Sequence, residues 1–402
     1  MTAAKPKWLD EPAVRRLLTA LGKAGIEARF VGGCVRDALL GLEIGDIDLA
    51  TPARPEAVIA ALQAAKIKAI PTGLAHGTVT AAIKPRQFEI TTLRRDVETD
   101  GRHAVVAFGA DWGEDAARRD FTINAIFMSP GGTIFDPVGG RADLAVHRVR
   151  FVGNSAKRIA EDVLRILRYY RFEARFGGGA GDAAARAACR AAVGQLGTLS
   201  VERVQRELMR LLAAPDPIRA LNLIQEDGVL AAILPEATRI ARLERLIPLG
   251  DDPLLRLAAL IDLDRAGAMA LAERLRLSNA ERDRLAGLAT PWPLDPDGDA
   301  KSQRLALYRL GRERYRDLAL LLAAAGRLAP DRLSAKLGQA DSWKSPTFPL
   351  GGDDVTPLGI APGPRVGQLL AAVRRWWEEG DFKAERAQCL AHLKKIAPEK
   401  PG

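Results

Sequence analysis

Phe30-Val31-Gly32-Gly33-Cys34-Val35-Arg36-Asp37, followed shortly by Gly45-Asp46-Ile47-Asp48-Leu49-Ala50, decides how this chain folds. Residues 27–31 read as a short strand, and residues 34–40 as the start of a helix with Val35 and Leu39 on one face. Strand, glycine turn and helix N-terminus together make a phosphate cradle. In Asp46-Ile47-Asp48 the acids alternate with an apolar residue, so on a strand both carboxylates face one way and Ile47 faces the core. Two carboxylates side by side repel unless a divalent cation sits between them. Each part alone has an ordinary reading, a turn or a solvated strand end. The order of cradle, arginine and acid pair inside one βαβ-sized span gives the outline of a phosphoryl-transfer site.

Around this stretch the chain has 402 residues, enough for two or three domains, and a net charge of +9, the footprint of a polyanionic partner. Cys34, Cys189 and Cys389 lie far apart, so neither a zinc site nor a disulfide framework is expected, and the compartment is expected to be reducing. The first ten residues lack the apolar run of a leader, and no window reaches the length of a membrane span; the expected location is the cytoplasm. Organisation changes near residue 150. Before it come short β-rich runs at 67–70, 78–83, 87–92, 104–108 and 133–135. After it nearly everything has helical period, as in Val163, Ile166, Leu167 and Tyr170, or Val201, Val204, Leu208, Leu211 and Leu212. An α/β head therefore precedes an all-helical remainder, with breaks at the glycines of 177–181 and the prolines of 215–217 and 291–296.

Two further clusters carry chemistry. In Glu114-Asp115-Ala116-Ala117-Arg118-Arg119-Asp120-Phe121-Thr122-Ile123-Asn124-Ala125 the local sequence favours a capped short helix with solvated arginines. The functional alternative has Arg119 neutralising a triphosphate and Asp120 accepting from a ribose hydroxyl. The second cluster, Glu161 through Arg171, reads as one helix, with Asp162, Arg165 and Arg168 in a winding stripe that Arg171 continues. A solvated helix would look the same. Yet a carboxylate beside a guanidinium matches the Watson–Crick edges of cytosine and adenine, and it repels the carbonyl oxygens of uracil and guanine.

Taken together the motifs resemble the class II tRNA nucleotidyltransferases, the CCA-adding enzymes, and their relatives the bacterial poly(A) polymerases. Gly32-Gly33-x-Val35-Arg36-Asp37 with Asp46-x-Asp48 is similar to the family's metal and phosphate motif. Arg118-Arg119-Asp120-Phe121-Thr122-x-Asn124-Ala125 resembles its ribose-selecting motif, and Phe135-Asp136-Pro137-Val138-Gly139-Gly140 with Asp143-Leu144 its hinge between head and neck. Glu161-Asp162-x-x-Arg165 resembles the nucleotide-templating motif, with Arg168 and Arg171 as further nucleotide-binding arginines, and Ser200-Val201-Glu202-Arg203 with Glu207-Leu208 the supporting neck helix. Residues 71–80 and 357–367 look like CCA-adding sequence, and no basic Gly-Arg-Arg-Phe-like segment of the polymerases is found. The four histidines include no His-Asp pair, so the phosphohydrolase activity of some members is not expected.

The resemblance implies an α+β protein: a polymerase-beta-like nucleotidyltransferase head with a small mixed sheet at 1–150, a helical neck for base selection and RNA binding at 151–240, and a helical body and tail for tRNA binding at 241–402. It implies addition of CCA, or part of it, to the tRNA 3′ end from CTP and ATP. Asp46 and Asp48 would hold Mg²⁺, with Glu89 a candidate third carboxylate. Gly32, Gly33, Arg36 and Arg119 would receive phosphates, Asp120 the ribose, and Asp162 and Arg165 the base, with Arg168 and Arg171 binding the nucleotide further along. The loop around 91–96, leading into Thr99-Asp100-Gly101, is the expected mover between additions. A poly(A) polymerase, a CC-only or A-only enzyme, and a non-catalytic RNA-binding protein are the competing readings.

Overall fold

The computed structural model describes residues 6–74, 77–99 and 104–397. They divide into two compact units, Met1–Ala237 and Thr238–Gly402. The first opens with α1 (Pro12–Lys23), whose proline sits in the first turn where its missing N–H costs nothing. There follow β1 (Arg29–Val31), α2 (Gly33–Leu39), β2 (Ile47–Thr51), α3 (Pro55–Ala64), β3 (Lys68–Gly73), β4 (Thr78–Ile83) and β5 (Arg86–Thr92). After β6 (Arg94–Thr99), β7 (Ala104–Phe108) and α4 (Trp112–Ala117), the strands β8 (Phe127–Met128) and β9 (Ile134–Phe135) complete the head.

The main sheet has the order β3-β4-β5-β2-β1-β8-β9. Only β2 and β5 run parallel and every other neighbouring pair is antiparallel, so the sheet is mixed. Alternation sorts its residues. Ile47, Leu49, Phe88, Ile90, Val79 and Ala81 are buried on the face that α1 and α3 cover. Fully burying a side chain such as Phe88 or Leu49 contributes about 1.5–3 kcal/mol. The opposite face carries Asp48 and Glu89, and beyond them Ala50 and Thr91, with a small second core of Val31, Ala50, Leu93, Ala116, Ala125 and Phe127 at one end.

Two local expectations are corrected here. Residues 91–96 are not a loop: Thr91 and Thr92 end β5, and Arg94 starts β6, which pairs with β7 as a separate ribbon. Asp100 and Gly101 lie outside the described residues, as do Ala75 and His76. The single helix expected through Glu161–Arg171 is two. It is broken at Asp162, whose backbone is extended (φ −157°, ψ 107°).

The helical part of the first unit runs through α5 (Gly140–Ala145), α6 (Ser155–Glu161), α7 (Arg165–Phe176), α8 (Ala183–Ala192), α9 (Val201–Leu212), α10 (Ile218–Glu226) and α11 (Val229–Ile233). At its entry Asp143 is wholly buried and accepts from Thr122 Oγ1 (2.6 Å), Arg148 Nε (2.6 Å) and Arg150 Nε (2.9 Å). The second unit is helical from α12 (Ile240–Leu246) onward: α13 (Pro253–Leu260), α14 (Arg265–Arg274), α15 (Asn279–Gly287), α16 (Ala300–Leu310), α17 (Arg312–Ala324), α18 (Pro330–Ser342), α19 (Pro364–Glu379) and α20 (Arg386–Ile396). Its last core gathers Leu369, Val373 and Trp377 of α19 against Cys389 and Leu393 of α20. Among the described residues no helix is long and apolar enough to cross a membrane, and Cys34, Cys189 and Cys389 are all buried free thiols.

Candidate active site

Asp48 lies in register with Val31 of β1 on one side and Glu89 of β5 on the other. Asp46 stands just before β2, two residues from Asp48 and near enough for its charge to act on it. Burial pushes the Asp48 carboxyl up to about 6, the negative charges of Glu89 and then Asp46 push the same way, and only Arg119 opposes them. Two further carboxylates thus bear on Asp48 with little internal compensation. An all-oxygen, anionic donor set of this kind suits a hard divalent cation, whose charge would relieve the repulsion. Among the described residues no three or more His, Cys, Asp or Glu side chains are gathered closely enough to hold a metal ion by themselves.

Beside the acids lies the glycine turn. Gly32 has φ 75°, a left-handed value that a side chain resists, and caps α2. A Cβ there would come within 3.8 Å of Arg119 Nη1, and one on Gly33 within 3.6 Å of Arg36 Nη2. Two guanidinium groups therefore flank the cradle. Arg119 is aimed by Asp115, which accepts from its Nε (3.1 Å) and Nη2 (2.9 Å) four residues back on the same turn of chain. The i,i+4 spacing of Asp115 and Arg119 is the signal that could have identified this anchor from sequence.

Arg36 is 7% exposed, more enclosed than a simple phosphate ligand at a surface turn. Burial lowers its pKa, with Asp37 pulling back the other way. Its Nε donates to Asp37 (2.8 Å) and its Nη1 to Asn124 Oδ1 (2.6 Å). Asn124 in turn donates from Nδ2 to Asp120 Oδ1 (3.1 Å), which also accepts from Phe121 N (2.8 Å). Asp120 Oδ2 accepts from Arg168 Nε (2.9 Å) and Nη2. Burial works against the Asp120 anion, but Arg168 and these donors outweigh it and hold the carboxyl below the usual range. Both Asp120 oxygens are occupied by protein donors, so a ribose hydroxyl can reach them only as Arg168 yields.

Asp162 and Arg165, the residues expected to read the base, are likewise held. Asp162 Oδ1 accepts from Leu164 N (3.1 Å), the local turn that breaks the expected helix, and Oδ2 from Arg203 Nη2 (2.7 Å) on α9. Arg165 donates from Nη1 to Glu161 and to the carbonyl of Arg158 (2.8 Å). Asp162 and Arg165 are joined by backbone, Arg165 N to Asp162 O at 3.0 Å, while their side chains have separate partners. Arg171 Nε lies 2.6 Å from the buried Glu207 Oε2, and burial lowers its pKa despite that partner. One contiguous set of hydrogen bonds thus runs from Arg119 through Asn124, Asp120 and Arg168 to α7. Arg175 and Arg210, which none of the sequence motifs singled out, share a cavity with Arg36 and Arg171.

Comparison with known proteins follows this geometry. Residues 28–150 match the model described as the Poly A polymerase head domain, and residues 182–240 the one described as the probable RNA and SrmB- binding site of polymerase A. The chain is 34% identical over 402 residues to the mitochondrial CCA tRNA nucleotidyltransferase 1 of Mus musculus, covering 95% of this chain and 90% of that protein. It is 32% identical over 406 residues to the CCA-adding enzyme of Lacticaseibacillus paracasei, covering 97% and 96% respectively. The crystal structure of the Bacillus stearothermophilus CCA-adding enzyme in complex with CTP superposes with a TM-score of 0.80 at 32% identity, over 96% of this chain and 98% of that one.

Proposed function

Because the chain belongs to the CCA-adding tRNA nucleotidyltransferases, we propose that it extends the 3′ end of tRNA with C, C and A from CTP and ATP, and that the acidic face of its head sheet is where transfer occurs. The tRNA 3′-oxygen forms a bond to the α-phosphorus, the bond from that phosphorus to the β-phosphate bridge breaks, and pyrophosphate leaves; the hydroxyl proton passes to solvent. The observation that carries this assignment is the carboxylate of Asp48 in register with Glu89 across β2 and β5, with Asp46 two residues before it and the glycine turn with Arg119 alongside.

Asp46 and Asp48, with Glu89 beside them, are the residues that would hold a divalent ion, which we take to be Mg²⁺. Such an ion, when bound, acidifies the attacking hydroxyl and neutralises charge on the triphosphate. The chain's own residues do the rest. Gly32 and Gly33 let phosphate oxygens approach the backbone, and Arg119, aimed by Asp115, lies against them. Arg36 binds phosphate with the N–H donors left after Asp37 and Asn124, and it also fixes Asn124 against Asp120. Asp120 receives the ribose 2′-hydroxyl in exchange for part of its hold on Arg168, and Arg168 and Arg171 turn toward the nucleotide.

Asp162 accepts from the exocyclic amine of cytosine or adenine while Arg165 donates to the ring edge, so uracil and guanine meet an acceptor where they need a donor. For Arg165 to do so it must release Glu161. This exchange of partners between additions is a smaller movement than that of a whole loop, and it allows one pair to serve both bases. We assign residues 1–150 as head, 151–240 as neck, and 241–402 as body and tail gripping the tRNA. The compartment we propose is the cytoplasm, although the mouse relative is mitochondrial.

The reading is tested by giving the purified chain tRNA that ends at its discriminator base, with CTP and ATP separately and together, and sequencing the ends. Terminal CCA is expected. Products stopping at CC, growth only on tRNA already ending in CC, or long adenosine tails on unrelated RNA would each replace it with one of the competing activities.

A further inference from the structure

A cavity of ≈ 630 Å³ opens between α2, the C-terminal half of α7 and the end of α9. Four arginines line it, Arg36, Arg171, Arg175 and Arg210, with the rings of Phe172 and Phe176 among them and no carboxylate in the wall. The rings form a floor under the guanidinium groups: Arg36 lies 4.1 Å from the Phe176 centroid, Arg171 4.4 Å from Phe172, and Arg175 5.4 Å from Phe176. Such stacking orients a planar cation without neutralising it.

Behind the wall the compensation is incomplete. Asp37 faces Arg36, and the single carboxylate of Glu207 stands between Arg171 at 2.6 Å and Arg210 at 4.0 Å. Arg175 has no carboxylate within ion-pair distance among the described residues, and its charge opposes that of Arg36. Four like charges against two, converging on one space, are held together most favourably by an anion of multiple charge.

Position along α7 says which anion. Arg165 reads the base at the start of the helix, Arg168 pairs with the ribose-side Asp120, and Arg175 follows ten residues after Arg165, roughly 15 Å along the axis. Arg36 joins this cavity to the glycine cradle, since its Nη2 lies against Gly33. A nucleotide whose base is at Arg165 and whose α-phosphate is at the cradle therefore sends its tail into the cavity.

We propose that Arg175 and Arg210 bind the terminal phosphates of the incoming nucleoside triphosphate and hold the pyrophosphate after transfer, so that the cavity is its departure route. The assignment rests on the nucleotidyl-transfer reading above and adds residues to it. Nothing new enters the bond changes: the phosphates that Arg175 and Arg210 grip are those already leaving as pyrophosphate.

The test uses the full-length chain and its Arg175→Gln and Arg210→Gln variants, with Arg175→Lys to keep the charge. Inorganic pyrophosphate added without tRNA is expected to raise the melting temperature of the native chain, to do so much less in either glutamine variant, and to act again in Arg175→Lys. In incorporation assays the KM for both CTP and ATP is expected to rise roughly tenfold per glutamine substitution, and pyrophosphate inhibition to weaken in step, with the KM for tRNA unchanged. If instead the nucleotide KM values hold while the KM for tRNA rises and its salt dependence flattens, the cavity grips RNA backbone and the proposal is overturned. Equal stabilisation of all variants by pyrophosphate overturns it too, and because that arm needs no turnover it separates failure here from failure of the broader reading.

Discussion

The acid strip of β2 and β5 and the arginine ladder of α7 treat charge in opposite ways. On the strip, Asp46, Asp48 and Glu89 crowd one another with Arg119 the only opposing charge that bears on Asp48, and the pKa of Asp48 rises. On the ladder, Arg165 has Glu161, Arg168 has Asp120, and Arg171 has Glu207. Charge left bare marks where a ligand must supply the balance, and charge already paired marks machinery that must exchange partners to act. The bare acids of the strip should therefore govern rate, and the paired groups of the ladder selectivity and stability.

The largest expected effect falls on the bare side. Asp48→Asn removes a donor whose ion is worth several kcal/mol, so incorporation should drop by on the order of 10³, with tRNA binding by gel shift unchanged. A variant that kept full rate would dissolve the contrast between the two regions. Next, Asp162→Ala takes the acceptor from the base-reading edge. The preference for CTP and ATP over UTP and GTP should shrink by roughly 1–3 kcal/mol, about 5- to 150-fold, as read from ratios of kcat/KM. Loss of rate with selectivity intact would move Asp162 to the catalytic side of the comparison.

Asp120→Asn probes the paired side by stability. Arg168 would lose the carboxylate that takes two of its hydrogen bonds, and denaturant unfolding should show a loss of about 1.5–3 kcal/mol, measurable without substrate. The smallest effect is that of Glu173 on α7, which is buried with Oε1 lacking a partner. Burial raises its pKa to about 7, Asp182 adds to the rise, and Tyr169, Arg186 and Arg219 oppose it. A carboxyl raised above its unfolded value favours folding in its protonated form, so its contribution is full below the unfolded pKa and is lost as pH rises through about 7. Glu173→Gln should flatten the fall in stability between pH 5 and 8, and an unchanged slope would remove Glu173 from the account.

Much of the strip was legible in the sequence. The alternation in Asp46-Ile47-Asp48 points to a shared face directly, whereas Glu89 entered only as a candidate that the family resemblance implies, and its register opposite Asp48 comes from the fold. The partners of the ladder were not legible in the same way. Asp120 and Arg168 are 48 residues apart, and Asp162 and Arg203 are 41 apart. Ion-pair choice at that separation is set by tertiary packing and not by local period. The break at Asp162 escaped because helical periodicity does not register a carboxylate that turns back onto the amide of Leu164. Arg175 and Arg210 belong to none of the sequence motifs, and only the folding of α7 against the end of α9 brings them to one cavity.

The central claim, that the acids of the head sheet are left unbalanced for a cation, is tested most directly by calorimetric melting of the metal-free chain at pH 8 during titration with Mg²⁺. The native chain should gain melting temperature in a saturable way. Asp48→Asn should start higher, because the buried, repelled charge is gone, and should gain little. The same rise in both proteins would contradict the account.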